Sequence, residues 1–329
     1  MQTEIKNWKS YSLKLNDISE SIHQMIKKLF KTVARFLGHL KQIIERESED
    51  TKLLAIGTLL SNQQWSISSR NINDFEFKIF SAWGDDGIIQ YLIKHIQIEN
   101  KSFIEFGVEN YLESTTRFLM MNNNWSGYVI DGSNYNMESL RKRTWFFKYD
   151  LRCKTAWIDK DNINSLLAET EFSNVGLLHI DIDGNDYYVL EAIDFSNLNP
   201  SILIMEYNSI FGSDRPISVP YRRDFNRTKA HYSNLFFGVS LPALNYLAEK
   251  KGYSLVGCSL SGNNAFFVRN DLIREPIYKV DIKTAYKESK FRESRGRSNS
   301  LSFFRAEQRL ESIKGLEVFN VITGKIERL

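Results

Sequence analysis

The chain of 329 residues has two cysteines, five prolines and no apolar run near membrane-span length, and each shortage removes a class of protein. Cys153 and Cys258 provide neither a zinc spacing nor a disulfide framework, and suit a reducing compartment. A spanning helix needs about 20 consecutive apolar residues, which are missing. The polar start, MQTEIKNWKS, lacks the pattern of a secretory leader, so the expectation is a soluble, cytoplasmic protein. An excess of one charge is missing as well. A net charge of +3 is too small to argue for nucleic acid as a partner. No repeat or low-complexity tract is visible, and the length is ample for a buried core.

Aromatic residues are plentiful at 13%, and so is helical patterning near the start. Residues 18–48 contain no proline. Ile22, Ile26, Leu29, Val33, Phe36, Leu40 and Ile43 alternate four and three apart, a seam of about three heptads. Lys27, Lys28, Lys31, Arg35 and Lys41 fill much of the remaining surface. Such a stripe needs a cover: a second copy in a homo-oligomer, the chain's own domain, or the surface of an anionic membrane. Residues 51–62 read as a second helix and 63–75 as a linker. Apolar strands then alternate with helices, the pattern of a mainly parallel α/β sheet covered on both faces. Thr155–Ile158 reads as its third strand, and Tyr253–Val256 with Ala265–Val268 as a closing hairpin. The expected division is a helical region over 1–74, a catalytic domain over 75–275 and a partly ordered extension over 276–329.

Within KSFIEFGVENYLESTTRFLMMNNNWSGYVIDGSN, residues 101–134, a strand–loop–helix–strand unit carries a carboxylate at each strand end, Glu105 and Asp131. Ligands of doubly wound sheets sit beyond the carboxyl ends of the strands, and an acid after the second strand commonly holds a ribose diol. A dinucleotide site wants G-x-G-x-x-G to admit a pyrophosphate. Here only Gly107 is present, and Glu109 puts negative charge where phosphate would lie. A nucleoside without phosphate is the better match. Glu105-x-Gly107 with Asp131 downstream resembles the first two motifs of class I methyltransferases that use S-adenosylmethionine (SAM). That resemblance implies a Rossmann-like fold.

Val175-Gly-Leu-Leu-His-Ile-Asp181-Ile-Asp183-Gly184 is the second signal. D-x-D-G after a strand also opens haloacid-dehalogenase-type phosphatases, and D-x-D holds metal in nucleotide-sugar glycosyltransferases. Neither accounts for Glu105, Gly107 and Asp131 upstream. Ile180-Asp181-Ile-Asp183-Gly184, followed by an apolar strand ending in Glu206, resembles FkbM-type sugar O-methyltransferases over residues 80–270. The resemblance implies methyl transfer from SAM to a sugar hydroxyl, in a small molecule or a bacterial surface glycan. It places Asp181 near the transferred methyl and Glu206 across the pocket.

The expected cofactor set is Asp86, Glu105, Gly107, Ser114, Asp131, Gly132, Ser133, Asp159 and Asp181. Asp86 and Asp159 have a competing reading as helix caps. Asp181, Glu206 and His231 are the candidate catalytic groups. His231 is chosen among five histidines because it alone falls in an insertion beyond the sheet edge. Asp181, Asp183 and Glu206 form the alternative divalent-metal set. Arg215, Tyr221, Arg222 and Arg223 share the insertion and are placed to meet an anionic substrate. The loss of later glycines keeps a third reading open, a non-catalytic scaffold on the same fold.

Overall fold

A computed structural model describes residues 24–25, 27–38, 48–290 and 293–329. The chain divides into two compact units, Met1–Ala55 and Ile56–Leu329. In the first, residues 24–25, 27–38 and 48–55 are helical. Leu29, Val33 and Phe36 of the stripe are exposed, as are the neighbouring Met25, Phe30 and Leu37. Ile22, Ile26, Leu40 and Ile43 lie outside the described residues. Among the described residues no helix is long and apolar enough to cross a membrane.

The second unit is built on a seven-stranded sheet ordered β3-β2-β1-β4-β5-β8-β7. Its strands are β1 (Asn100–Phe106), β2 (Ser126–Asp131), β3 (Leu151–Thr155), β4 (Val175–Ile180), β5 (Ile202–Glu206), β7 (Tyr253–Cys258) and β8 (Asn264–Arg269). β1 to β5 pair in parallel, and β8 runs antiparallel to both β5 and β7. Every residue of β4 is buried, as a central strand covered on both faces requires. The alternation of side chains separates two cores. Ile104, Phe106, Leu178, Ile180, Leu203 and Met205 pack on one face, and Phe103, Leu177, Ile202 and Ile204 on the other.

The helices that position the site are α1 (Asp85–His95), α2 (Arg117–Asn123), α3 (Asn134–Arg141), α4 (Ile163–Ala168), α5 (Asp186–Ala192) and α6 (Leu241–Lys250). The third strand lies earlier than the apolar run Thr155–Ile158 implied. β3 is an edge strand, so Arg152 and Lys154 are tolerated and its apolar signal is weak. The proposed linker is also packed: Ile72 and Phe75 are buried, and the Gln64 amide donates to the carbonyls of Phe75 and Gly87 (both 2.8 Å).

The tail is no separate extension. β9 (Glu317–Asn320) joins β10 (Lys325–Arg328) and the short β6 (Ile217–Ser218) in a second antiparallel sheet. Ile313 and Val318 are fully buried with Phe211, Ile217 and Phe236. The contacts divide the chain at 55/56, and the tail's apolar residues complete this small core.

Candidate active site

The strand order reverses between β1 and β4, and a cleft of about 770 Å³ opens beyond their carboxyl ends. That is where doubly wound sheets bind ligands, and the size lies within the usual range for small-molecule sites. Gly107 makes the junction. Its φ is +75°, and a Cβ there would lie 1.6 Å from the carbonyl oxygen of Asp181. Only glycine lets the ends of β1 and β4 approach so closely.

The rest of the loop keeps a glycine-like path without glycines. Glu109 (φ 46°) and Tyr111 (φ 59°) both adopt left-handed backbone, two and four residues after Gly107. The strain, about 1–2 kcal/mol per residue, is opposed by specific contacts. The Glu109 N–H donates to Asp131 Oδ2 (2.8 Å), and the fully buried Tyr111 hydroxyl bonds Thr116 Oγ1 (2.9 Å).

Glu105 lines the cleft, but its carboxylate serves the protein first. It accepts from Ser114 Oγ (2.7 Å), the N–H groups of Thr115 (3.0 Å) and Thr116 (3.2 Å), the Thr116 hydroxyl and His179 Nδ1 (3.0 Å). Burial pushes Glu105 up, yet the bonds from His179, Thr116 and Ser114 outweigh it and hold its pKa below the ordinary value. Glu105 and Ser114 thus shape the cleft wall, with no carboxylate oxygen of Glu105 left over for a ligand. Asp131, at the end of β2, is half-buried and faces the cleft with Gly132 and Ser133. Its Oδ1 accepts the Ser133 N–H (2.8 Å), and the Ser133 hydroxyl caps α3. Trp157 lies against Gly132 in the cleft wall.

Three of the expected residues sit elsewhere. Asp86 is buried, and its Oδ2 accepts the N–H groups of Ile79, Phe80 and Ser81 (2.7–2.9 Å), tying down the loop before α1. Asp159 holds the turn before α4 through the N–H groups of Asp161 and Asn162 (both 2.9 Å) and pairs with Arg223 (2.7 Å). His231 bonds Ser233 Oγ (2.7 Å) and lies tilted against the Tyr232 ring, outside the cleft lining. Of the insertion's cations, Arg215 pairs with Glu327 of the tail (2.9 Å).

Asp181, Asp183 and Glu206 do converge. One oxygen from each lies within 4.8 Å of the others at the ends of β4 and β5. Burial and the neighbouring carboxylates push Asp181 and Glu206 above the ordinary carboxyl range, so the cluster holds a proton that can be given up or taken. Asp186 braces the loop by accepting the N–H groups of Ile182 and Gly184 (both 2.8 Å). Sequence reasoning missed Arg227. Its guanidinium pairs with Asp183 (2.7 Å), lies 4.0 Å from Glu293 and covers the Phe237 ring at 3.9 Å. No motif announces it: Asn226 caps a one-turn helix, Arg227–Ala230, that brings it in. Glu293 and Arg309 reach the same cleft from the tail.

The sheet, with an antiparallel β8 between β5 and β7, is the Rossmann-like arrangement of class I methyltransferases. No family model matches the chain, and no curated protein does. Among solved structures it is similar to M. capricolum TrmK in complex with S-adenosyl-homocysteine, at 12% identity over 64% of this chain and 77% of that one (TM-score 0.35). It is also similar to a putative O-methyltransferase from Klebsiella pneumoniae, at 10% identity over 66% and 90% (TM-score 0.35). A third is an S-adenosylmethionine-dependent methyltransferase from Clostridium acetobutylicum ATCC 824, at 10% over 56% and 90% (TM-score 0.34). Likenesses this distant carry no argument about activity.

Proposed function

We propose that the chain is a SAM-dependent O-methyltransferase acting on a sugar hydroxyl, in a small molecule or a surface glycan. One observation carries the reading. The cleft at the strand-order switch sets the Asp131 carboxylate at its β2 side and a carboxylate cluster at its β4–β5 side, with no glycine-rich cradle for phosphate. The β2 acid suits a ribose diol, and the opposite cluster tolerates a cationic sulfonium while attracting a hydroxyl proton.

SAM supplies an electrophilic methyl group. In transfer, the acceptor oxygen forms a bond to the methyl carbon as the carbon–sulfur bond breaks, and the hydroxyl proton passes to the cluster. Glu206 is the proposed base, since it ends β5 within the carboxylate cluster at the cleft and its Oε2 has no hydrogen-bond partner. Asp131 and the Gly107–Tyr111 loop orient the nucleoside, and alignment of the two reactants supplies much of the rate. Asn226, Asn234 and Asn263 give the acceptor side a hydroxyl-matching polar lining beside Phe225 and Phe237.

Calorimetric titration with S-adenosylhomocysteine (SAH) and UDP-sugars tests the reading. SAH is expected to bind, and Asp131→Ala to weaken it by about 1.5–3 kcal/mol. Binding of a UDP-sugar alone would replace it with glycosyl transfer. Glu206→Gln should keep SAH affinity and lower turnover by about ten- to ten-thousand-fold. His231→Ala, outside the cleft, should leave turnover near wild type.

A further inference from the structure

We propose that the helix over residues 27–38 docks the protein on an anionic lipid surface. Its side chains sort into two arcs around the axis. At about 100° per residue, Phe36, Leu29, Val33, Leu37 and Phe30 fall within an arc of about 120°. Lys27, Lys31, Arg35 and Lys28 fall within an opposite arc of about 100°. The apolar arc is bare: Phe30 is 72% exposed and Phe36 61%, with Leu29, Val33 and Leu37 exposed beside them. Single exposed apolar side chains are ordinary, but a contiguous row of large ones marks a surface made to be covered.

Charge identifies the cover. Residues 21–44 contain five Lys and Arg residues and no Asp or Glu, the flanking acids being Glu20 and Glu45. A helix with Phe and Leu on one side and only cations as charges on the other has the composition of one that lies in a membrane interface. Its apolar side sinks about 5–10 Å, to the boundary of headgroups and acyl chains, while the cations stay among the lipid phosphates. Length agrees. The twelve residues 27–38 rise about 18 Å, short of the roughly 30 Å hydrocarbon core, so the helix lies along the surface and does not cross it. In lipid-free solution a second copy can cover the apolar side, but it leaves the cations without counter-charge. An anionic bilayer does both.

The surface belongs to the first unit and stands whatever group the second unit transfers. Full-length protein is mixed with sedimentable vesicles of phosphatidylcholine, alone or with an equal part of phosphatidylglycerol, and the bound fraction is followed. Binding to the mixed vesicles is expected, about ten-fold or more tighter than to phosphatidylcholine alone. It should weaken as salt rises from about 0.1 to about 1 M, where the screening length falls from about 10 to about 3 Å. Lys27→Gln, Lys28→Gln, Lys31→Gln and Arg35→Gln combined should weaken binding about a hundred-fold or more, at about five-fold per cation. Phe30→Gln with Phe36→Gln should weaken it about a hundred-fold through the apolar side. Glutamine keeps helix propensity and all six side chains are exposed, so the melting temperature of the second unit should not move. No sedimentation with the mixed vesicles, equal binding to both kinds, or wild-type binding in either variant would overturn the proposal. An oligomer that stays in the supernatant would assign the stripe to a second copy instead.

Discussion

Gly107 and Asp85 show how single residues set limits on this site. Alanine at 107 would meet the Asp181 carbonyl, a backbone atom that moves only if the ends of β1 and β4 separate. Left-handed strain adds about 1–3 kcal/mol. Gly107→Ala should therefore lower the melting temperature and abolish SAH binding; retention of both would mean the two loops move freely. Glu109→Gly should act in the opposite sense, raising stability by up to about 1 kcal/mol with SAH affinity kept, because glycine adopts the observed φ of 46° without strain. A lower melting temperature would show that the glutamate side chain outweighs the strain. Asp85 is fully buried with both oxygens unpartnered, faced by His179, Asp86, Glu76 and Asn264. Burial, opposed in part by His179, pushes its pKa up to about 7. Its protonated form therefore adds stability that is complete below the unfolded value near 4 and is lost as pH rises through about 7. Asp85→Asn mimics that form. Its advantage over wild type in melting temperature should be larger at pH 8 than at pH 5. An advantage that shrinks instead would mean an ionised carboxylate held by His179.

At the scale of elements, the same acid can finish a strand or organise a loop, and neighbours decide which. Glu105 belongs to β1 by pattern, yet it gathers the 114–116 turn ahead of α2 through backbone and hydroxyl donors. Glu105→Gln turns one acceptor into a donor facing these donors. A cost of about 1–3 kcal/mol per buried group left unsatisfied is expected in denaturant melts, together with weaker SAH binding. An unchanged melt would mean the turn is held elsewhere. The strands β1, β4 and β5 were legible as apolar runs because both faces of a central strand are buried. β3 was displaced in the sequence reading because an edge strand alternates with polar residues.

For the whole molecule, the separable part is residues 1–55, and the tail is integral to the second unit. A chain lacking residues 1–55 should stay folded and bind SAH with unchanged affinity. Light scattering of both forms tests the homo-oligomer expected of the Ile22–Ile43 stripe: the full chain as an oligomer and the shortened one as a monomer. A full-length monomer at tens of micromolar would end that expectation, and sedimentation with anionic liposomes would favour the membrane surface instead.

The sequence by itself determined the α/β alternation and the strand-end acids Glu105, Asp131, Asp181 and Glu206. Burial on both faces writes continuous apolar runs, and a strand's end is where polarity returns. Tertiary structure alone decided which acids face the cleft. Asp86 and Asp159 look equivalent to Asp131 in a linear reading, and backbone N–H groups hold all three. Asp131, however, is half-buried at the cleft, while Asp86 and Asp159 are buried outside its lining. Arg227 meets Asp183 from 44 positions away and lies beside Glu293 of the tail, and no local pattern encodes such a meeting. It follows from a small core, closed by the tail over the second sheet, that forms only when the whole second unit packs.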